Sequence, residues 1–308
     1  MISLPESVRR VVINMQGGLG NQMFQMAFGM ALESSSSVKV EYTKIHEPLL
    51  RRKVNTPRKL DICQFVNIDH AMIREFRFIF RRQEFNDVMK MLSNGYSFAT
   101  ILENKSHFSE IDRMNVNVLG FDGYWQDSRY FNHIESEVIE LFQRLRSPSS
   151  DFLKLQSQIS QQESIGMHIR RGDYISNQKA LFFHGVCDLE YFKAAVNYIR
   201  DTIPSTKLFI FSDDAEWASL NFSASENVVV SNYHSLSAAE ELVLLSKCSH
   251  LILSNSSFSW WAAYLRETNG NERPTIIAPT PWFANKNFPS PCLPHWLQFD
   301  IRTGENVL

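Results

Sequence analysis

SIGMHIRRGDYI, residues 164–175, is the stretch on which the reading of this chain turns. Ile165, Met167 and Ile169 alternate with Gly166 and His168, the two-residue period of a β-strand. That strand delivers two adjacent arginines, a glycine and an aspartate into a loop. Guanidinium groups form bidentate bonds with phosphate oxygens and keep their charge at any physiological pH. His168 stands two residues before Arg170 and shares its face of the strand. Asp173 can orient an arginine or serve as a base. A surface ion-pair cluster would have the same composition, so the surroundings must decide.

Outward from this stretch the order is regular. KLFIFS (207–212), NVVVS (227–231), HLILSNS (250–256) and, as the last, TIIA (275–278) read as strands. LEYFKAAVNYIRD, stopped by Pro204, SAAEELVLLSKC and SFSWWAAYL read as helices. Ser237 with Glu240 three residues on is a capping box. Alternating strands and helices predict a parallel, doubly wound sheet, whose ligands bind beyond the carboxyl ends of the strands. Three polar clusters fall at such ends: RRGD after Ile169, Asp213 and Asp214 after Ser212, and Asn255, Ser256 and Ser257 after Ser254. The aspartates can accept hydrogen bonds from a guanine edge or a ribose, or cap a helix, a role that suits Asp214. Their spacing is not that of a metal-binding DxD, and no metal is predicted. SNSS opens a helix with hydroxyls and free N–H groups, an anion site, while Phe258, Trp260 and Trp261 suit a core.

The chain begins with a second α/β pattern. VVINM (11–15) and VKVEY (38–42) read as strands around a helix over MFQMAFGMALE. Between them, QGGLGNQ (16–22) fails as a dinucleotide fingerprint, because Gly18 and Gly20 are followed by Met23 at the third place. Without a Lys-Ser/Thr it is no phosphate loop of the NTPase kind either. What remains is a tight loop that a ligand can approach closely, with Asn21 and Gln22 as neutral partners for sugar hydroxyls. In GYWQ (123–126), Tyr124 and Trp125 suit the apolar face of a sugar ring, with core packing as the alternative.

Residues 44–120 carry no readable period. They hold Arg51, Arg52, Lys53, Arg58, Lys59, Arg74, Arg77, Arg81 and Arg82. AMIREFRFIFRRQ reads as a helix with a solvated face and a core stripe; a patch for anionic lipid headgroups is the sharper alternative. HIESEVIELFQRLR (133–146) has helical period. SPSSD (147–151) is the linker candidate, which divides the chain into 1–152 and 153–308.

The totals set limits. The 308 residues are 44% hydrophobic, enough for real cores, and 31 basic against 33 acidic residues give a net charge of -2. A nucleic-acid partner normally announces itself by a basic excess. Cys63, Cys187, Cys248 and Cys292 form no CxxC pair and read as free, mostly buried thiols of a reducing compartment. The start, MISLPESVRR, does not read as a signal peptide, and no apolar run spans a bilayer. The triplets at Asn104, Asn221 and Asn255 are therefore taken as chance, and the cytoplasm is expected.

Taken together, GGLGNQMFQMAFGMAL, GYWQDSRYF, HIRRGDY, HGVCDLEYF, FSDD and SNSSFSWWAAYL resemble, in this order, the bacterial α-1,2-fucosyltransferases. The resemblance runs from about residue 11 to about residue 297. It implies a GT-B fold, two Rossmann-like α/β domains facing a cleft, with an acceptor-side N-terminal domain and a GDP-fucose-binding C-terminal one. It implies inverting transfer of fucose from GDP-β-L-fucose to the 2-hydroxyl of a β-galactoside, with no required metal or other cofactor. The acceptor would be an oligosaccharide or O-antigen repeat, carried on a lipid at the inner face of the membrane. By the same resemblance Arg170 touches the diphosphate, with His168, Arg171, Asp213, Asp214, Asn255, Ser256, Ser257, Gly18 and Gly20 around the donor. Tyr124, Trp125 and Glu241 are expected on the acceptor, and Asn21 beside the reacting sugar. For the base, His184, with a pKa suited to the task, and Asp173, whose arginine neighbour lowers its pKa, rank level; Glu241 is a third candidate, and late proton loss to water is the further alternative. The alternatives are an α-1,6 or α-1,3 linkage and a glycan- or nucleotide-sugar-binding module without turnover.

Overall fold

The computed structural model describes residues 4–43, 60–66, 95, 97–103, 115–224, 227–268, 273–285 and 287–307. The arginines and lysines at 51–59 and the helix expected over 71–83 lie outside the described residues. The chain forms two compact units, Met1–Arg144 and Leu145–Leu308. Each is a parallel sheet with helices, the two-domain α/β architecture that the resemblance implies.

In the first unit, β1 (Arg10–Asn14), α1 (Leu19–Ser35) and β2 (Lys39–Thr43) form where the sequence pattern puts them. Two strands lie inside the stretch without a readable period, β3 (Phe98–Leu102) and β4 (Val118–Asp122). The sheet order is β2-β1-β4-β3 and every pairing is parallel. α1 is buried along much of its length because aromatic side chains cover it. Phe24, Phe28, Phe121, Trp125 and Phe131 are each at most 1% exposed. The helix expected over 133–146 is shorter, α2 (Glu135–Gln143), and it buries Val138 and Phe142.

The second unit starts with α3 (Ser150–Ser160), capped by Ser149, whose hydroxyl accepts from the Phe152 N–H at 3.2 Å. Then come β5 (Ser164–Ile169), α4 (Gly172–Ser176), α5 (Gln178–His184), α6 (Leu189–Thr202), β6 (Lys207–Ser212) and α7 (Ala215–Asn221). β7 (Val228–Val229), α8 (Ala238–Ser246), β8 (His250–Ile252), α9 (Ser257–Glu267), β9 (Ile276–Thr280) and β10 (Leu297–Asp300) complete it. All six strands are parallel, in the order β10-β9-β8-β5-β6-β7. The chain runs outward from β5 to β7, returns to place β8 beside β5, and then runs outward the other way. The β5/β8 boundary is therefore the topological switch point, where open α/β sheets hold ligands. β5 is buried at every residue. Two expectations need correction. NVVVS gives a strand of only two residues, followed by a 3-10 turn (Val230–Asn232), and TIIA is not the last strand. β10, LQFD, pairs with β9 and buries only Phe299 fully, so its hydrophobic signal is slight. No helix among the described residues is long and apolar enough to cross a membrane.

Candidate active site

At the switch point β5 hands the chain to Arg170 and Arg171. The Ser254 hydroxyl, fully buried just after β8, fixes this exit: it accepts from the Arg170 N–H at 3.0 Å and donates to the His168 carbonyl at 2.7 Å. Arg170 pairs with Asp173 one turn on, and its Nη1 lies 2.8 Å from Asp213 Oδ2. Asp213 Oδ1 accepts from the backbone N–H groups of Arg171 and Gly172, at 2.8 and 3.2 Å. A Cβ on Gly172 would come within 2.6 Å of that carboxylate and displace it from the loop. Arg171 turns elsewhere. Its Nε donates to Asp214 Oδ2 at 3.1 Å and its guanidinium lies over Trp217 at 4.1 Å. Asp214 Oδ1 caps α7 through the Trp217 N–H. Both aspartates thus hold an arginine, and between them a stretch of loop backbone and a helix end. Arg170 remains the cation of the site, with about a fifth of its side chain exposed.

The neighbouring histidines differ from expectation. His168 is buried against Phe258, ring centroids 4.9 Å apart, and burial with the adjacent Arg170 pushes its pKa down to about 3. It is a neutral side chain and adds no charge for an anion; its Nδ1 is buried without a hydrogen-bond partner. His184 stacks on Tyr174 with centroids 4.5 Å apart and rings 7° from parallel. Burial, opposed by Asp173 and aided by Arg170, lowers its pKa to about 4. The ordinary imidazole basicity expected of His184 is therefore absent.

Sequence reasoning passed over Tyr174, Ser254 and Ser231. Tyr174 joins three motifs: its hydroxyl donates to the Asn255 carbonyl at 3.2 Å, its ring carries His184, and Arg170 lies 5.3 Å from its centroid. The signal was present as the tyrosine of RRGDY, one residue past the charges. Asn255, 1% exposed, donates to the His184 carbonyl at 2.7 Å and accepts weakly from the Cys187 thiol. Its side chain is a clamp between loops and faces no solvent. Ser256 caps α9 by accepting from the Phe258 N–H at 3.3 Å, and Ser257 is the first helical residue. The arrangement sets one arginine beside the N-terminus of an eleven-residue helix, two positive features that act together on an anion.

Two adjacent glutamates open α8 and do different things. Glu240 completes the predicted capping box and also accepts from the Ser149 N–H at 2.6 Å. Among the described residues, Glu241 accepts a hydrogen bond from the Ser231 hydroxyl alone, at 3.5 Å. Burial raises its pKa to about 7, with Asp213 adding to the shift against the Ser231 bond. Ser231 also accepts from the Ser212 N–H at 2.8 Å, which places Glu241 at the carboxyl end of β6.

In the first unit the glycine loop is tighter than its spelling suggests. Gly17, at φ +76°, takes the left-handed conformation, and a Cβ there would sit 2.4 Å from Asn21 Nδ2. Gly18 is the N-cap of α1 with open space beside it, while Gly20 is buried in the first helical turn. Gln126 donates to Asn21 Oδ1 at 2.6 Å, which joins GGLGNQ to GYWQ. Trp125 has φ +56°, a conformation costly for a bulky residue. Two contacts hold it there: Glu103 Oε1 accepts from its N–H at 2.8 Å, and its ring stacks on Phe28 at 4.5 Å. Trp125 is 0% exposed and packs in the core, so it offers no face to a sugar; Tyr124, 42% exposed, does.

The chain is similar to several known proteins. A colitosyltransferase of Escherichia coli, named as α-1,2-specific, is 31% identical over 94% of this chain and 99% of its own length. The O-antigen biosynthesis glycosyltransferase WbnK of Escherichia coli is 29% identical over 92% of this chain and 98% of its own. Mouse galactoside 2-alpha-L-fucosyltransferase Sec1 is 30% identical over 47% of this chain and 41% of its own length. Among solved structures, Arabidopsis thaliana FUT1 in complex with GDP covers 87% of this chain and 70% of its own, at 13% identity and a TM-score of 0.47. The pattern of glycosyl transferase family 11 matches residues 3–298, and the chain belongs to that family of glycosyltransferases.

Proposed function

We propose that this glycosyltransferase moves L-fucose from GDP-β-L-fucose to the 2-hydroxyl of a terminal β-galactoside, with inversion, in the assembly of an O-antigen repeat. The observation that carries the donor side is Arg170, fixed at the β5/β8 switch point next to the N-terminus of α9. As the acceptor oxygen bonds to the anomeric carbon, the bond from that carbon to the diphosphate breaks and its electron pair passes to the phosphate oxygen, while the hydroxyl proton leaves to a base, for which His184, Asp173 and Glu241 are the candidates, or to water. A preorganised cation and a helix N-terminus stabilise that developing charge without a metal. Arg171, Asp213, Asp214 and Tyr174 hold Arg170 and its loop in place; Ser256 and Ser257 present the helix end. The relatives named for α-1,2 transfer and for O-antigen synthesis support the linkage and the acceptor class.

A second donor has a specific observation behind it, the colitosyltransferase similarity over nearly the whole chain. Colitose lacks the 3-hydroxyl of fucose and is otherwise the same sugar. The deciding experiment incubates the protein with GDP-fucose or GDP-colitose and a panel of β-galactosides, with and without a chelator, and reads the product linkage by NMR. A chelator-resistant α-1,2-fucosyl product is expected. Product from GDP-colitose alone would replace the donor, a different linkage would replace the regiochemistry, and no product from any pair would overturn the reading.

A further inference from the structure

A second polar cluster, at the carboxyl ends of β1 and β4, is made of neutral amides around one carboxylate. Asp122, the last residue of β4, is half-buried. Its Oδ1 accepts from Asn14 Nδ2 at 2.8 Å and from Gln16 Nε2 at 3.0 Å. Its Oδ2 takes no hydrogen bond among the described residues. Gln16 is held in turn, its N–H donating to Gln25 Oε1 at 3.0 Å, while Gln25 donates to the Gly123 carbonyl at 2.9 Å. Asn14 is 4% exposed, and its Oδ1 is buried with no partner. Glu103, the other carboxylate here, is spent on the backbone N–H groups of Tyr124 and Trp125, at 2.7 and 2.8 Å. Asp122 is therefore a carboxylate oriented by two amides through one oxygen, with the other available. The exposed Tyr124 ring follows two residues later, and the Asn21–Gln126 pair joins the first turn of α1, which follows β1, to the segment after β4.

Amides and a carboxylate with no cation among their hydrogen-bond partners do not suit a phosphate. They suit a ligand that offers hydroxyl donors, and an aromatic face beside them suits the apolar side of a sugar ring. We propose that Asp122 binds the acceptor: its Oδ2 accepts a hydrogen bond from a hydroxyl of the acceptor sugar, and Asn14 and Gln16 aim it. The proposal rests on the glycosyl-transfer reading above and adds the residue that selects the acceptor.

The test is steady-state kinetics of Asp122→Asn with the donor and acceptor varied separately, with saturation-transfer NMR of the β-galactoside on the same protein. Asparagine keeps an oxygen for Asn14 and Gln16, so the fold should persist. Losing a hydrogen bond from a hydroxyl to a charged acceptor predicts a rise in acceptor KM of about 10- to 100-fold, with donor KM unchanged. If Asp122→Asn fails to fold, Gln16→Ala removes one of the two orienting amides and should raise acceptor KM by a smaller factor. Wild-type values for acceptor KM and NMR binding would overturn the proposal and leave the functional reading intact. A change confined to donor KM would move Asp122 to the other substrate and also overturn it. A wild-type protein that transfers sugar to no acceptor and binds no glycan would end both.

Discussion

The two units finish their central strands in opposite chemistry. β5 and β6 end in two arginines among three aspartates, every one of them paired. β1 and β4 end in Asn14 and Asp122, with Gln16, Asn21 and Gln126 in the segments that follow, joined by hydrogen bonds from side-chain amides. The same strand-then-loop architecture presents both sets, so the difference comes from side-chain chemistry alone. Charge fixed in a partly dry site stabilises a leaving diphosphate strongly, because the donors need no reorganisation as charge appears. Neutral amides bind hydroxyls, which keep their charge state through the reaction. On the function proposed above, the charged end acts on the transition state and the neutral end on ground-state binding.

Arg170→Ala puts that separation under the greatest strain. Loss of a preorganised charge-stabilising donor costs about 10²- to 10³-fold in kcat, with acceptor binding by NMR unchanged. Asp173 and Asp213 would both lose their cation, so nucleotide affinity should fall as well. Arg170→Lys keeps charge but not the fork that reaches Asp173 and Asp213 together, and should recover only part of the rate. A mutant that kept the wild-type kcat would make the arginine cluster structural.

Glu241 tests whether the charged side also tolerates a proton. Its folded pKa, about 7, lies above the ordinary carboxyl value of 4.5. Folding therefore favours the protonated form: this group is no burden below the unfolded pKa, and stability is lost as pH rises from about 4.5 through 7. The full penalty is reached above pH 7 and amounts to roughly 3 kcal/mol at most. Glu241→Gln should match wild type in Tm near pH 4.5 and exceed it by several degrees at pH 8. Equal Tm differences at both pH values would show that the carboxyl is not buried in its acid form. If the variant also loses an alkaline rise in kcat while keeping both KM values, Glu241 is the proton acceptor.

How much of this was readable in the sequence follows from where each signal lives. The second unit was legible because β5 and β6 are buried apolar runs with charges at their ends. RRGD, DD and SNSS could be placed before any coordinates, and the capping box at Ser237 and Glu240 is present. Side-chain roles were less legible, because pairing is a three-dimensional property. Nothing in the spacing says that Asp213 grips the backbone of Arg171 and Gly172, or that burial strips His184 of its basicity. β3 and β4 are hard to read because FATIL and VLGFD are runs of five residues in or at the end of a stretch without a readable period. Trp125 shows the same limit: an aromatic residue in a polar loop looks like a sugar platform until the Phe28 ring is found against it.

The smallest effect belongs to Glu240, and it sharpens the border between site and scaffold. Glu240 Oε2 accepts from the Ser237 N–H at 2.8 Å, and Oε1 from the Ser149 N–H at 2.6 Å. Ser149 is the residue that caps α3, so one carboxylate secures the start of two helices. Glu240→Ala removes the cap and strands two backbone donors, a cost of roughly 2 kcal/mol. For a unit of this size that lowers Tm by about 5 °C. Neither KM nor kcat should move at temperatures well below the new Tm, because Glu240 touches no part of the Arg170 cluster, whereas its neighbour Glu241 is close enough to feel Asp213. A fall in kcat without a fall in Tm would mean that the α8 terminus positions the reacting groups, and the border would then have to be drawn one residue earlier.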